Sequence, residues 1–325
     1  MMESRAQSLD RVRLPGAMDL MLLLMVLIWG VNYSIIKIAL SSFAPFAFNV
    51  LRFGLATLLM LALLKARGES LHVARSDIPA MILLGMMGHG IYQLLFISGV
   101  ALTTPANSSF ILATMPIFAA IFAHFQGIER ANRTVWAGVL MSFLGILLLV
   151  LGGNGPGLEL QGSTIIGDLC CLGAALLWAA SMITGRRLLL HYSPVKVTTL
   201  QMLVGTPLLI AVGLPSMVEQ RWSQVPLAAW GGIFYSAVLA TVVGYILWSV
   251  GLQRVGNART AIYSNVTPII SAVSAWLLLG DGLRSPQIIG AGVVIAGLLL
   301  ARRGRVSAAS ALRAARSEGE PATQA

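Results

Sequence analysis

Charge is what this chain has least of. Only 10% of its 325 residues are Asp, Glu, Lys or Arg, against roughly a quarter in soluble domains, which excludes an ordinary water-facing surface. Acidic residues number 12, and none lies deep in an apolar run: Asp19, Asp168, Glu129 and Asp281 all fall near segment ends. A carboxylate relay for protons is therefore not expected. Cys170 and Cys171 are the only cysteines and stand side by side. Sequence neighbours rarely bridge and no companion ligands lie nearby, so neither a disulfide framework nor a metal site is expected. The four histidines, His72, His89, His124 and His191, are scattered over different segments. That leaves no nucleophile with a base and no clustered ligands, so neither an enzyme nor a bound cofactor is expected.

Apolar residues are what the chain has instead: 57% of it, with a mean hydropathy of +0.83. The fold class expected is an all-α integral membrane protein. A net charge of +10 does not point to nucleic acid, because nearly all the Lys and Arg lie in short connections between apolar runs. A span needs about 20 apolar residues, and ten segments qualify: 18–40, 45–64, 78–100, 105–125, 134–151, 167–186, 194–214, 227–250, 258–279 and 285–301. Arg5, Arg11 and Arg13 before the first run resemble a signal peptide, but that run is too long and carries Lys37 where a cleavage site belongs. Most basic residues fall on the side shared by both termini, with Lys37, Arg221 and Arg284 on the other. Both termini are thus expected in the cytoplasm.

The chain repeats itself. Asp19, Trp29, Lys37 and Arg52 recur as Asp168, Trp178, Arg186 and Gln201 at one fixed offset. Gly99, Ala106, Pro116, Glu129, Gly138 and Gly145 recur as Gly251, Ala258, Pro268, Asp281, Gly290 and Gly297 at an offset three residues longer. Five spans per half is an odd number, so the halves are expected to be inverted copies, an arrangement typical of carriers. The expected division is a cytoplasmic segment 1–17, a first repeat 18–151, an external linker 152–166, a second repeat 167–303 and a cytoplasmic tail 304–325.

Trp29-Gly30-x-Asn32 with Lys37, then Pro45 and Leu51-Arg52-Phe53, resembles the opening of EamA-type carriers of the drug/metabolite transporter superfamily. Thr267-Pro268-Ile269, Ala275 to Asp281, and Gly290-Ala291 with Ile295-Ala296-Gly297 resemble that family's closing stretch, where Glu commonly takes the place of Asp281. The resemblance implies a ten-helix secondary carrier in the bacterial cytoplasmic (inner) membrane, often an exporter of amino acids or related metabolites. Its partners would be a small-molecule substrate and the lipid bilayer. Uptake or facilitated passage of another solute (a nucleoside, quaternary amine or drug) and a non-transporting sensor are the rival readings.

His89 lies about 11 residues into the third run, near mid-membrane at 1.5 Å per residue. A titratable group at that depth is a functional candidate, for binding or for proton coupling, or else a structural histidine held by a neighbouring carbonyl. Tyr92 and Gln93 follow within a turn, and the repeat counterparts of His89 and Gln93 are Thr241 and Tyr245. Asn32, Trp248 and Asn265 complete the substrate-binding candidates, with interhelical bonding and headgroup-level anchoring as the alternatives for them. Lys37 is expected to snorkel to water, and Arg52, deeper, to need a carbonyl or an anionic substrate group; both are taken as structural or gating charges. Pro116 and Pro268, read as mid-span, are hinge candidates. Small residues four apart, Gly138 with Ser142 and Ser271 with Ala275, suit close packing inside the bundle or in a homodimer.

Overall fold

A computed structural model describes residues 16–125, 132–152, 162–282 and 284–318. Every regular element among them is helical, as a chain in lipid requires, since only intra-segment bonding satisfies the backbone where no water reaches. In order these are α1 (Ala17–Ala39), α2 (Pro45–Ala66), α3 (Ile78–Gly85), α4 (Tyr92–Leu102), α5 (Pro105–Leu112), α6 (Met115–Phe125), α7 (Arg133–Gly152), α8 (Gly162–Leu188), α9 (Pro194–Glu219), α10 (Leu227–Phe234), α11 (Gly244–Ser264), α12 (Thr267–Leu279) and α13 (Ser285–Glu318). A wide π-turn, Met86–Ile91, joins α3 to α4, and another, Tyr235–Val243, joins α10 to α11. Seven helical stretches among the described residues are long and apolar enough to cross a membrane, and Arg133–Leu149, Thr267–Leu279 and Ser285–Ala301 are shorter apolar helices. The protein is a multi-pass membrane protein.

Three expectations need correction. The run 105–125 is two helices, parted at Ala113 and Thr114, and the equivalent gap in the second half falls at Asn265 and Val266. Pro116 and Pro268 are therefore each the second residue of a new helix, not a kink within one. There the missing N–H removes no helical bond, and the fixed φ favours starting a turn. Helix α8 begins at Gly162, inside the stretch expected as linker, and α13 runs on to Glu318. Finally, α11 crosses the expected loop before residue 258. It is not straight: a Cβ on Gly251 would lie 3.1 Å from the Thr260 Oγ1, whereas nine residues of straight helix rise about 13 Å, so the chain doubles back. Glu129 lies outside the described residues.

Helices α7 and α13 pack closely along their length. A Cβ on Gly138 would stand 2.5 Å from the Gly297 carbonyl oxygen, and one on Gly290 would stand 2.9 Å from that of Gly145. Rising residue numbers in one helix meet falling numbers in the other, so the two run antiparallel. Exchanging each residue for its counterpart turns one of these contacts into the other. Two further contacts join counterparts directly. Thr57 and Thr206 share a buried hydroxyl–hydroxyl bond of 2.9 Å between α2 and α9, and Ser142 donates to the Val294 carbonyl at 3.4 Å. The spaced small residues thus pack within the bundle, Ser271 likewise donating to the Pro105 carbonyl at 3.0 Å.

Any side chain at these glycines must separate two backbones. Overpacking of this kind costs about 1–3 kcal/mol, so Gly145→Val should lower the detergent melting temperature by several degrees. Gly54→Val is the control, because no atom lies within 4 Å of a Cβ there. Equal melting of the two variants would refute the contact.

Candidate functional site

Helix α2 and the π-turn ahead of α4 bring one set of polar side chains together inside the bundle. Asn49 and Arg52 lie three residues apart on α2, hence on one face, while His89 sits in the π-turn and Gln93 one turn later on α4. Small neighbours let the helices close in: a Cβ on Gly88 would strike Ser181 and Gln201, and one on Gly205 would strike the His89 ring. Wide turns of this type recur at functional sites. Here both repeats have one, His89 in the first and its counterpart Thr241 in the second.

The cluster is almost sealed. Arg52 is 4% exposed, Gln93 2%, His89 1% and Asn49 1%. Yet the Nε and Nη1 of Arg52, the Nε2 of His89, the Oε1 of Gln93 and the Oδ1 of Asn49 have no hydrogen-bond partner. The Asn49 amide donates to the Gln93 main-chain carbonyl at 3.0 Å, which fixes its orientation and leaves its oxygen free. No carboxylate among the described residues pairs with Arg52. Its guanidinium lies 4.5 Å from the Phe53 ring centre and 5.7 Å from that of Phe96, contacts that stabilise a cation modestly. His89 meets Phe53 edge-on at 4.6 Å. Leaving buried polar groups unpaired is costly, and most of the unpartnered buried atoms among the described residues are concentrated here, with others on Asn107, Asp168 and Thr267.

Aromatic rings wall the cluster. Tyr92 lies 4.9 Å from Trp178 and 5.9 Å from Phe96, and Tyr33 lies 5.8 Å from Phe96. Tyr245 stands between the counterparts Trp178 and Trp29, at 5.9 and 6.1 Å, and its hydroxyl meets the Gln93 side chain, its own counterpart. Tyr33, Tyr92 and Tyr245 all lie within electrostatic reach of Arg52.

Other candidates are placed elsewhere. Thr241 donates to the Ser236 carbonyl at 2.8 Å within its own π-turn, and Ser236 donates to Asn32 Oδ1 at 2.7 Å, which ties that turn to α1. Trp248 lies tilted against Trp29 at 5.6 Å, and Tyr235 donates to the Ile28 carbonyl at 3.1 Å. Asn265, in the gap before α12, borders a small cavity of about 40 Å³ with Phe110, Ala113 and Pro268. Lys37, expected to snorkel, is only part-buried and is bonded to main-chain carbonyls. Its ammonium donates to the carbonyls of Val100, Ala101 and Thr103 at 3.2, 2.8 and 2.7 Å, closing the end of α4. A cation there satisfies carbonyls that the helix leaves unbonded. Asn49, Tyr33 and Trp178 join the cluster without having been singled out by the sequence; the spacing of Asn49 to Arg52 is the available signal for the first.

The two ends of the bundle differ. At one, Ser41, Ser42, Ala44, Glu219 and Arg221 border an open hollow of about 450 Å³, where Gln220 accepts from the Ala44 N–H at 2.8 Å and donates to the Ser42 carbonyl at 3.0 Å. At the other, Ser193 and Arg67 donate to Glu69, Lys196 donates to the His72 carbonyl at 2.6 Å, and Tyr192 donates to Asp77 at 2.8 Å. Those bonds fasten the α2–α3 loop to the start of α9.

The EamA-like transporter family matches the chain twice, over residues 16–151 and 165–303. This protein belongs to that family. An uncharacterized transporter of Archaeoglobus fulgidus is 30% identical over 290 residues, covering 86% of this chain and 96% of the other. The uncharacterized transporter YyaM of Bacillus subtilis is 29% identical over 283 residues, covering 87% and 92%. A protein of Salmonella typhimurium named a probable amino-acid metabolite efflux pump is 28% identical over 290 residues, covering 86% and 92%. One solved crystal structure shares the fold, with a TM-score of 0.62 at 20% identity over 87% of this chain and 97% of that one. The family expected from the doubled motifs is therefore the correct one, and this EamA-like chain is a transporter.

The fastened end carries a pH dependence. The hydrogen bond from Ser193, then that from Arg67, lowers the Glu69 pKa. A carboxyl depressed in the folded state stabilises the fold above its unfolded pKa, about 4.3, and loses that contribution as pH falls through the depressed value. Wild-type protein should accordingly melt above Glu69→Gln at pH 7, with the gap closing as pH falls below about 4.3 and through the depressed value. A gap that persists at the acid end would mean that the carboxylate is not what matters there.

Proposed function

We propose that this protein is a secondary transporter that exports a small metabolite, an amino acid or a relative of one, from the bacterial cytoplasm across the inner membrane by alternating access. The carrying observation is the sealed cluster of Arg52, His89, Gln93 and Asn49 atoms without partners. Groups that no protein atom satisfies in a dry interior are groups for which a solute can compete, and intramembrane polar residues mark transport pathways. The relative named as a probable amino-acid metabolite efflux pump supports the choice of solute and direction.

In this reading ten spans form two inverted repeats with both termini in the cytoplasm, 1–17 and 304–325 flanking the repeats and 152–166 lying outside. Counterparts that touch one another support it. Thr57 with Thr206, Ser142 with Val294, and Gln93 with Tyr245 are contacts that a two-fold axis in the membrane plane would generate. The cluster then straddles that axis. The hollow near Gln220 is the outer vestibule, the Glu69–Ser193 end is the closed cytoplasmic gate, and the gaps before Met115 and Thr267 let half-helices tilt.

Counterflow in liposomes, with amino acids, nucleosides and quaternary amines as internal solutes, tests this. An amino acid should accumulate with wild-type protein. His89→Ala should fold and reduce that flux by about tenfold or more, since truncation removes a polar group facing the solute. Absence of counterflow with every solute would reject the carrier reading, and unchanged flux in His89→Ala would remove that residue from the site.

A further inference from the structure

Resting on the carrier reading, we propose that Arg52 binds the carboxylate of a zwitterionic amino acid with an apolar side chain, while the free oxygens of Asn49 and Gln93 receive its ammonium group.

Three observations fix the chemistry. The first is charge. Lys37 is already held by three carbonyls, whereas Arg52 keeps two donor nitrogens without partners and has no paired acid among the described residues. A guanidinium away from water needs an anion, and its planar donor array suits a carboxylate. One unspent cation fits a monoanion; a dianionic phosphate would call for further positive groups.

The second is the pair of orphaned acceptors. An acid without an amino group would satisfy Arg52 and leave Asn49 Oδ1 and Gln93 Oε1 as they are. Asn49 is one helical turn from Arg52 on α2, and its amide bond to the Gln93 main-chain carbonyl brings α4 against that face. A donor-only group such as an ammonium fills the need, and neighbouring aromatic faces add to its stabilisation. An acidic side chain is not required for that role.

The third is the wall. Phe53, Phe96, Tyr33 and Tyr92 present ring surface around the charged group. They offer apolar area to a side chain and no further charge, so apolar amino acids are the expected class, and acidic or basic ones are disfavoured.

Purified full-length protein is to be titrated with L-leucine and L-phenylalanine, with their carboxamides and with their N-acetyl derivatives, reading the shift in melting temperature. A ligand of the folded form raises that temperature by mass action. At least one free amino acid should bind about tenfold or more tightly than its carboxamide and its N-acetyl form, since each derivative leaves a buried group unpaired. Arg52→Gln should erase the preference for acid over amide and abolish amino-acid counterflow. It should also melt at or above the wild-type temperature, because an unpaired buried cation has been removed. A merely structural arginine would instead lower the melting temperature. Equal binding of acid and amide by wild type, or unchanged amino-acid flux in Arg52→Gln, would overturn the proposal. So would counterflow of a nucleoside or quaternary amine with no response to amino acids, a result that leaves the carrier reading standing. Should Arg52→Gln fail to fold, the wild-type comparison of acid with amide decides alone.

Discussion

Hydrocarbon offers no hydrogen bonds, and everything in this structure follows from how the chain answers that. Backbone groups are closed inside helices, and side chains that carry polar atoms are bonded across helices. Lys37 caps α4, Ser236 joins Asn32, and Thr57 joins Thr206. Against that pattern, five of the eight unpartnered buried side-chain atoms among the described residues belong to Arg52, His89, Gln93 and Asn49; the others are on Asn107, Asp168 and Thr267. Natural folds tolerate such exceptions mainly where function needs them.

The arrangement around them is economical. Glycines remove side-chain bulk where α7 meets α13 and where α9 passes the π-turn, so helices approach closely enough to seal the interior. The seal matters for the site, because electrostatic and hydrogen-bonding preferences are strong only where water is excluded. Its two ends differ in chemistry: an open hollow beside the Gln220 amide contacts at one, and a set of ionic and hydroxyl contacts around Glu69 and Tyr192 at the other.

Part of the candidate site was legible in the residues alone. His89, Tyr92 and Gln93 share one stretch of helix, and Tyr245 follows from Gln93 by the repeat. Depth along an apolar run is enough to single out His89. The same reasoning could not separate these from Thr241, Asn32 or Asn265, which are polar at similar depth but are bonded to helices or set apart. Nor could it foresee that Lys37 would turn inward to three carbonyls while Arg52 would stay unpaired. Both are long cations on apolar helices, and only their neighbours differ.

The apolar segments, their doubling and the family were thus determined by the sequence. Membrane thickness and backbone bonding act locally, on runs of about 20 residues, and the repeat is written as residue identities. Where helices break was decided by tertiary structure, as at Ala113 and Asn265, and so was where α11 doubles back. It also decided which buried polar atoms remain without a partner. That depends on which groups other helices bring within about 3 Å, and for Arg52 the nearby rings of Phe96 and Tyr245 come from distant parts of the chain.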